Sequence, residues 1–122
     1  MNISYSHQDK DPIYLQIVKQ IKVQIMNGSL APNQSLPSMR ALANELRVSV
    51  ITTKRAYEEL EKEGFITSMV GKGCFVSSRP VDSIEQEHIR QLQEAFDQMC
   101  EAAKALNLSS EDLLSELRKR GF

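Results

Sequence analysis

The side chains best able to do covalent or acid-base chemistry in this sequence stand in no arrangement that would use it. The two histidines, His7 and His88, and the two cysteines, Cys74 and Cys100, are scattered and match neither a CxxC nor a Cys/His ligand spacing. No nucleophile-base pair, zinc site or disulfide framework is expected, and no catalytic residue, metal or cofactor is assigned. The residues that do form a pattern bind. Ser49 to Arg55 read Ser-Val-Ile-Thr-Thr-Lys-Arg, where Ser49 suits a helix N-cap and Val50, Ile51, Thr52, Lys54 and Arg55 fall within the first two turns. Lysine and arginine there suit phosphates, and outward β-branched aliphatics suit thymine methyl groups, the apolar feature of the major groove. The competing reading has Val50 or Ile51 turning back to pack on the preceding helix or on a following hairpin. Arg40 and Lys72 add charge, and Lys72 between Gly71 and Gly73 can bring an ammonium and close main-chain amides to a phosphate. Alone, Arg40 reads as a solvated charge and Gly71-Lys72-Gly73 equally as a plain tight turn, so the weight rests on their convergence with Lys54 and Arg55.

That convergence needs elements to create it. Asp11-Pro12 offers an N-cap followed by proline at the first helical position, and Tyr14, Ile17, Val18, Ile21 and Ile25 form one apolar stripe up to Gly28. The polar start before it is expected to be mobile. SLAPNQSLP carries two prolines without periodicity and reads as an ordered loop. Ser38 caps a short second helix with Leu42, Ala43 and Leu46 inward, and Arg47-Val48-Ser49 separates it from a third helix whose inward stripe is Thr53, Ala56, Tyr57 and Leu60. Two short helices across so tight a turn, with apolar Val48 inside it, are the helix-turn-helix pattern. Phe65 to Val70 and Cys74 to Ser77 flank Gly71-Lys72-Gly73 as a hairpin, which makes the whole a winged helix-turn-helix.

Charge divides the chain in the same place. The net charge is -1, but residues 1 to 79 carry ten Lys/Arg against seven Asp/Glu, and residues 80 to 122 carry five against nine. A basic module for phosphates (1-79) is thus followed by an acidic tail (80-122), with Arg79-Pro80 at the boundary. Asp82 or Ser83 is expected to open a long helix in which Ile89, Leu92, Phe96, Met99, Ala103 and Leu106 alternate spacings of three and four, a heptad-like seam suited to pairing with another helix. A last helix, capped by Ser109 and stapled by Leu108, presents Leu113, Leu114 and Leu117 and ends at Gly121. Phe96, Met99 and Cys100 could line a small effector pocket, though stripes at this spacing are ordinarily packing. The architecture expected is mainly α with a small β-hairpin. No apolar run approaches the roughly 20 residues of a membrane span, and the start has neither a basic nor an apolar leader region, so the cytoplasm is expected.

The stretch LPSMRALANELRVSVITTKRAYEELEKEGFITSMVGKGCFV closely resembles the DNA-binding domain of the GntR family of bacterial regulators. That family shows LPS-x-R-x-LA, a valine-serine turn, a T-x-x-A-Y-x-x-LE-x-x-G helix and G-x-G-x-FV in the wing. With the leading PIYLQIVKQIKVQIMNG and the short tail, the resemblance is to its YtrA-type subfamily and covers residues 12 to 77. It implies DNA contact from Arg40, Ser49, Val50, Ile51, Thr52, Lys54, Gly71 and Lys72, and a helical tail used for dimerisation. Larger family members carry an effector-binding domain after the wing. Arg47 stands where the family commonly has glycine, so a residue with a Cβ is expected to meet an unfavourable backbone angle there. The function these readings converge on is a homodimeric transcriptional regulator, a repressor, on a pseudo-palindromic double-stranded operator. The alternative is a winged helix that grips a protein through Val50 and Ile51, which weak salt dependence would reveal.

Overall fold

A computed structural model describes residues 1–122, the side chain of Val81 excepted. In chain order it holds α1 (Ile13–Met26), α2 (Met39–Leu46), α3 (Val50–Lys62), β1 (Ile66–Met69), β2 (Gly73–Val76), α4 (Val81–Ala105) and α5 (Ser110–Lys119). Mainly helical with one antiparallel hairpin, it has the architecture that the periodicities predict. Two units separate, Met1–Ile84 and Glu85–Phe122.

In the first unit, the stripe Ile17, Val18, Ile21 and Ile25 of α1 is buried, with Tyr14 half-buried at its edge. These residues meet Leu42 and Leu46 of α2, Ala56, Tyr57 and Leu60 of α3, and Phe65, Ile66 and Val76 around the hairpin in a single apolar cluster. Each fully buried side chain of this size contributes about 1.5–3 kcal/mol. The expected Asp11 cap does not form. Pro12 is the N-cap residue, with φ -58 and ψ 156, and its carbonyl accepts from the amides of Leu15 and Gln16. Asp11 therefore stands one residue too early to reach those amides, and its carboxylate takes the Lys19 ammonium at 2.6 Å instead.

Nor does the polar start run free. Ile3 and Tyr5 pack against the core cluster, while glutamines four residues apart on α1 hold the main chain between them. Gln16 accepts from the Ser6 amide and donates to its carbonyl, both at 2.9 Å; Gln20 does the same for Ser4, and Gln24 donates to the Asn2 carbonyl at 2.8 Å. A helical rise of about 6 Å per four residues nearly matches two residues of extended chain at about 3.3 Å each, so successive glutamines meet alternate residues.

Ser38 and Ser49 cap α2 and α3 as expected, accepting from the amides of Ala41 at 3.0 Å and Thr52 at 3.3 Å. α2 ends in a Schellman motif: Val48 N donates to the Ala43 carbonyl and Arg47 N to that of Asn44, with Arg47 left-handed at φ 57, ψ 44. β1 is one residue shorter at each end than expected, and β2 starts one residue early, taking Gly73 from the expected turn and leaving Ser77 out, so that the hairpin pairs Ile66↔Val76 through Met69↔Gly73. The segment before α2 is more than a loop, since Ser35 bridges Phe75, and amides of Asn33 and Leu36 donate to β2 carbonyls. At Gly64 (φ 82), which closes α3, an added Cβ would lie 2.6 Å from the Ser83 hydroxyl. α4 opens at Val81, ahead of Asp82 and Ser83, and the Pro80 carbonyl accepts from Ile84 N at 2.8 Å.

In the second unit, Glu87 is buried and takes the Arg90 guanidinium, which also reaches Glu94. α5 starts with a capping box, in which the Ser109 amide donates to Asp112 at 2.8 Å and Asp112 N donates back to the Ser109 hydroxyl. The main-chain N–H of Ser109, and then its hydroxyl, hold the Asp112 carboxyl below its ordinary value. Of the tail residues singled out from the sequence, Ile89, Leu92, Phe96 and Leu106 are exposed, Met99, Leu113 and Leu117 are half-buried, and Ala103 is buried.

Candidate nucleic-acid interface

Helical phase decides what the third helix offers. At roughly 100° per residue, Thr53, Ala56, Tyr57 and Leu60 occupy one side of α3, and all four are buried. The opposite side is centred on Ile51, which is 78% exposed, with Lys54 and Arg55 on its flanks. Val50, at the margin, is 43% exposed. The reading in which these aliphatics turn inward is therefore not what this unit adopts for Ile51.

Two buried hydroxyl groups set the attitude of that helix. The Thr53 hydroxyl donates to the Met39 carbonyl at 2.8 Å and to that of Val50 at 3.0 Å, and the Tyr57 hydroxyl donates to the Pro37 carbonyl at 2.7 Å. Burial pushes the Tyr57 phenol up, so it stays a neutral donor. Lys22, itself buried, ties α1 to the end of α3 through Glu63 at 2.9 Å and lies 5.4 Å from the Phe65 ring centre.

The remaining candidates fall around this frame. Arg40 is exposed in the first turn of α2. Ser49 is exposed, and its hydroxyl lies 3.1 Å from that of Thr52, so the two act as one polar unit at the helix start. Lys54 stands 4.0 Å from Glu58, a solvated i,i+4 pair that leaves the ammonium free to swing. Gly71 (φ 76) and Lys72 form the exposed turn of the hairpin, where Lys72 N donates to the Met69 carbonyl at 2.9 Å, beside a wholly exposed Val70. Arg55 is differently placed, lying over the ring of Tyr14. Periodicity assigned Tyr14 to the core stripe and gave no sign of this contact, because the partners are 41 residues apart. Among the described residues, no group of three or more His, Cys, Asp and Glu is arranged to hold a metal ion, and no helix is long and apolar enough to cross a membrane.

A capped, exposed helix start set across a tight turn from a second helix and followed by a β-hairpin defines a winged helix-turn-helix. Residues 13–76 match the model of the gntR family of bacterial regulatory proteins, and the chain belongs to that family. It is 32% identical over 113 residues to the uncharacterised HTH-type transcriptional regulator YhcF of Bacillus subtilis, spanning 91% of each chain. It is 31% identical over 97 residues to the transcriptional repressor YtrA of the same organism, covering 80% of this chain and 75% of that one, which places it with the YtrA-like members. A crystal structure of a transcriptional regulator from Oenococcus oeni superposes with a TM-score of 0.80 at 27% identity, over 94% of this chain and 95% of that one. The DNA-binding domain of AraR, solved in complex with operator ORX1, matches with a TM-score of 0.56 at 26% identity, over 63% of this chain and 96% of that domain.

Proposed function

We propose that this chain is a sequence-specific, homodimeric repressor that occupies a pseudo-palindromic operator. In this reading residues 1–79 are the DNA-binding module and residues 80–122 the dimerisation tail. The amino end of α3 enters the major groove, where Ile51 and Val50 meet thymine methyls and Lys54 reaches a base edge or phosphate. Ser49 and Thr52 offer hydroxyls at the groove edge, Arg40 and Arg55 face the backbone, and Gly71 and Lys72 bring the wing to it. Dimerisation through Ile89, Leu92, Phe96, Met99, Ala103, Leu106, Leu113 and Leu117 doubles the base contacts and keeps the acidic tail away from the duplex. The protein acts in the cytoplasm, blocking polymerase at the promoter it covers.

One observation carries the reading: the first two turns of α3 present a 78% exposed isoleucine between two cations, on a helix otherwise anchored by buried residues. Solvent alone gives no reason for that side chain. The operator complex of the AraR domain supports it by likeness of fold and sequence. Selecting bound fragments from genomic DNA supplies the operator. Arg40→Ala with Lys54→Ala is then expected to abolish preference for it while the melting curve stays in place. Unchanged operator affinity in that variant removes these residues from the interface, and salt-insensitive binding removes DNA as the partner.

A further inference from the structure

The guanidinium carbon of Arg55 lies 3.8 Å from the centre of the Tyr14 ring, and Arg55 Nη2 donates to the Tyr14 hydroxyl at 3.2 Å. Tyr14 is in the first turn of α1 and Arg55 in the second turn of α3. Arg55 also sits one turn along from Ile51, on the same exposed side. Lys19 and Arg90 are held instead by carboxylates, Asp11 for the first and Glu87 and Glu94 for the second, and Lys22, which lies by the Phe65 ring, also has Glu63. A carboxylate fixes a cation and cancels its charge; an aromatic face and a phenol oxygen fix it and leave the charge in place. Among the described residues, no carboxylate lies within ion-pair distance of Arg55.

Resting on the function proposed above, we infer that Tyr14 is a positioning residue that presents Arg55 to an operator phosphate. With Ile51 in the groove, a guanidinium one turn further along the same side meets the groove wall, where a contact adds affinity and no base information. The ring removes in advance the rotamer freedom that a free arginine would lose on binding. The Tyr14 hydroxyl accepts from Arg55 and so fixes the guanidinium plane over the ring.

The test uses the full chain, its selected operator and a scrambled duplex across a salt series. Arg55→Ala is expected to reduce the slope of log affinity against log salt by about 0.9, one phosphate contact, and to weaken both duplexes by the same factor. Tyr14→Leu is expected to move the slope the same way, with Tyr14→Phe in between. Tyr14→Leu with Arg55→Ala should be no weaker than Arg55→Ala alone. Because Tyr14 is half-buried, each variant is read beside its melting curve, and Tyr14→Phe, which keeps the ring, carries the comparison if Tyr14→Leu unfolds. Additive losses in the double variant overturn the positioning role, as does a Tyr14→Phe slope equal to wild type when Tyr14→Leu is unfolded. A loss in Arg55→Ala confined to the operator overturns the phosphate assignment. A wild-type chain that shows no operator preference overturns the function itself, which none of the other outcomes touches.

Discussion

The Thr53 hydroxyl donates to the main-chain carbonyl of Met39 across 2.8 Å, joining the first turn of α3 to the first turn of α2 from a fully buried position. It fixes how far the exposed start of α3 stands from Arg40. Thr53→Val keeps the shape and loses the donor, and a buried hydrogen bond of this kind contributes about 1 kcal/mol. The expected result is a loss of about that size in urea unfolding. Thr53→Ser restores the hydroxyl and should recover much of it, less the effect of the missing methyl. A Thr53→Val protein as stable as wild type, with a loss in Thr53→Ser alone, would mean that volume matters there and the hydrogen bond does not.

At α2 the left-handed position of the Schellman motif belongs to Arg47, whereas the same motif after α3, α4 and α5 uses Gly64, Asn107 and Gly121. A Cβ in that conformation costs about 1–2 kcal/mol, and glycine gives back about 0.5–1 kcal/mol through its greater freedom when unfolded. Arg47→Gly should therefore raise stability by up to about 1 kcal/mol. Arg47→Val, branched at Cβ, should lower it by more than 1 kcal/mol. Chemical denaturation of the three proteins ranks them, and the order Gly, Arg, Val is the expected one.

The helix-turn-helix was legible because its signals are local. Ser38 and Ser49 stand directly before apolar stripes of helical period, and both cap the helices they precede. What escaped depends on pairs distant in sequence. Ile3 and Tyr5 lie in the polar start that reads as mobile, and nothing local marks Gln16, Gln20 and Gln24 as the residues that hold it. Only the fold brings Ser6, Ser4 and Asn2 against them. The same holds for Ser35 beside Phe75 and for Tyr14 beneath Arg55. The misplaced helix starts have another origin: Pro12 takes the N-cap position expected of Asp11, and α4 opens at Val81, directly after Pro80 and ahead of the Asp82 or Ser83 expected there.

If Ile51 reads thymine methyl groups, the methyls themselves can be removed. Replacing individual operator thymines by deoxyuridine keeps every hydrogen bond and deletes one apolar contact, worth about 0.8 kcal/mol per buried carbon, or about fourfold in affinity. Ile51→Ala should weaken operator binding and leave scrambled duplex unchanged. In that variant the sensitive deoxyuridine positions should become silent. A variant that stays sensitive at every such position places Ile51 outside the readout, and Val50→Ala is then the side chain to compare.

Ile89, Leu92 and Phe96 follow one another at spacings of three and four along α4, exposed by 42%, 56% and 48%. Three large apolar groups on one helical side, left open in the single chain, are what a two-fold partner would cover, and in such an interface every residue acts twice. Truncating a buried aromatic anchor costs about 2 kcal/mol or more, so Phe96→Ala, counted in both copies, should raise the dimer dissociation constant on the order of a thousandfold. Sedimentation equilibrium measures that directly, with helical content by circular dichroism as the control for folding. The resulting monomer should bind a half-site as well as the parent does and lose only the gain from the second half-site, as the proposed division between a DNA-binding module and a dimerisation tail requires. A Phe96→Ala protein that remains dimeric, or that holds the full operator as a monomer, assigns the apolar side of α4 to some other role.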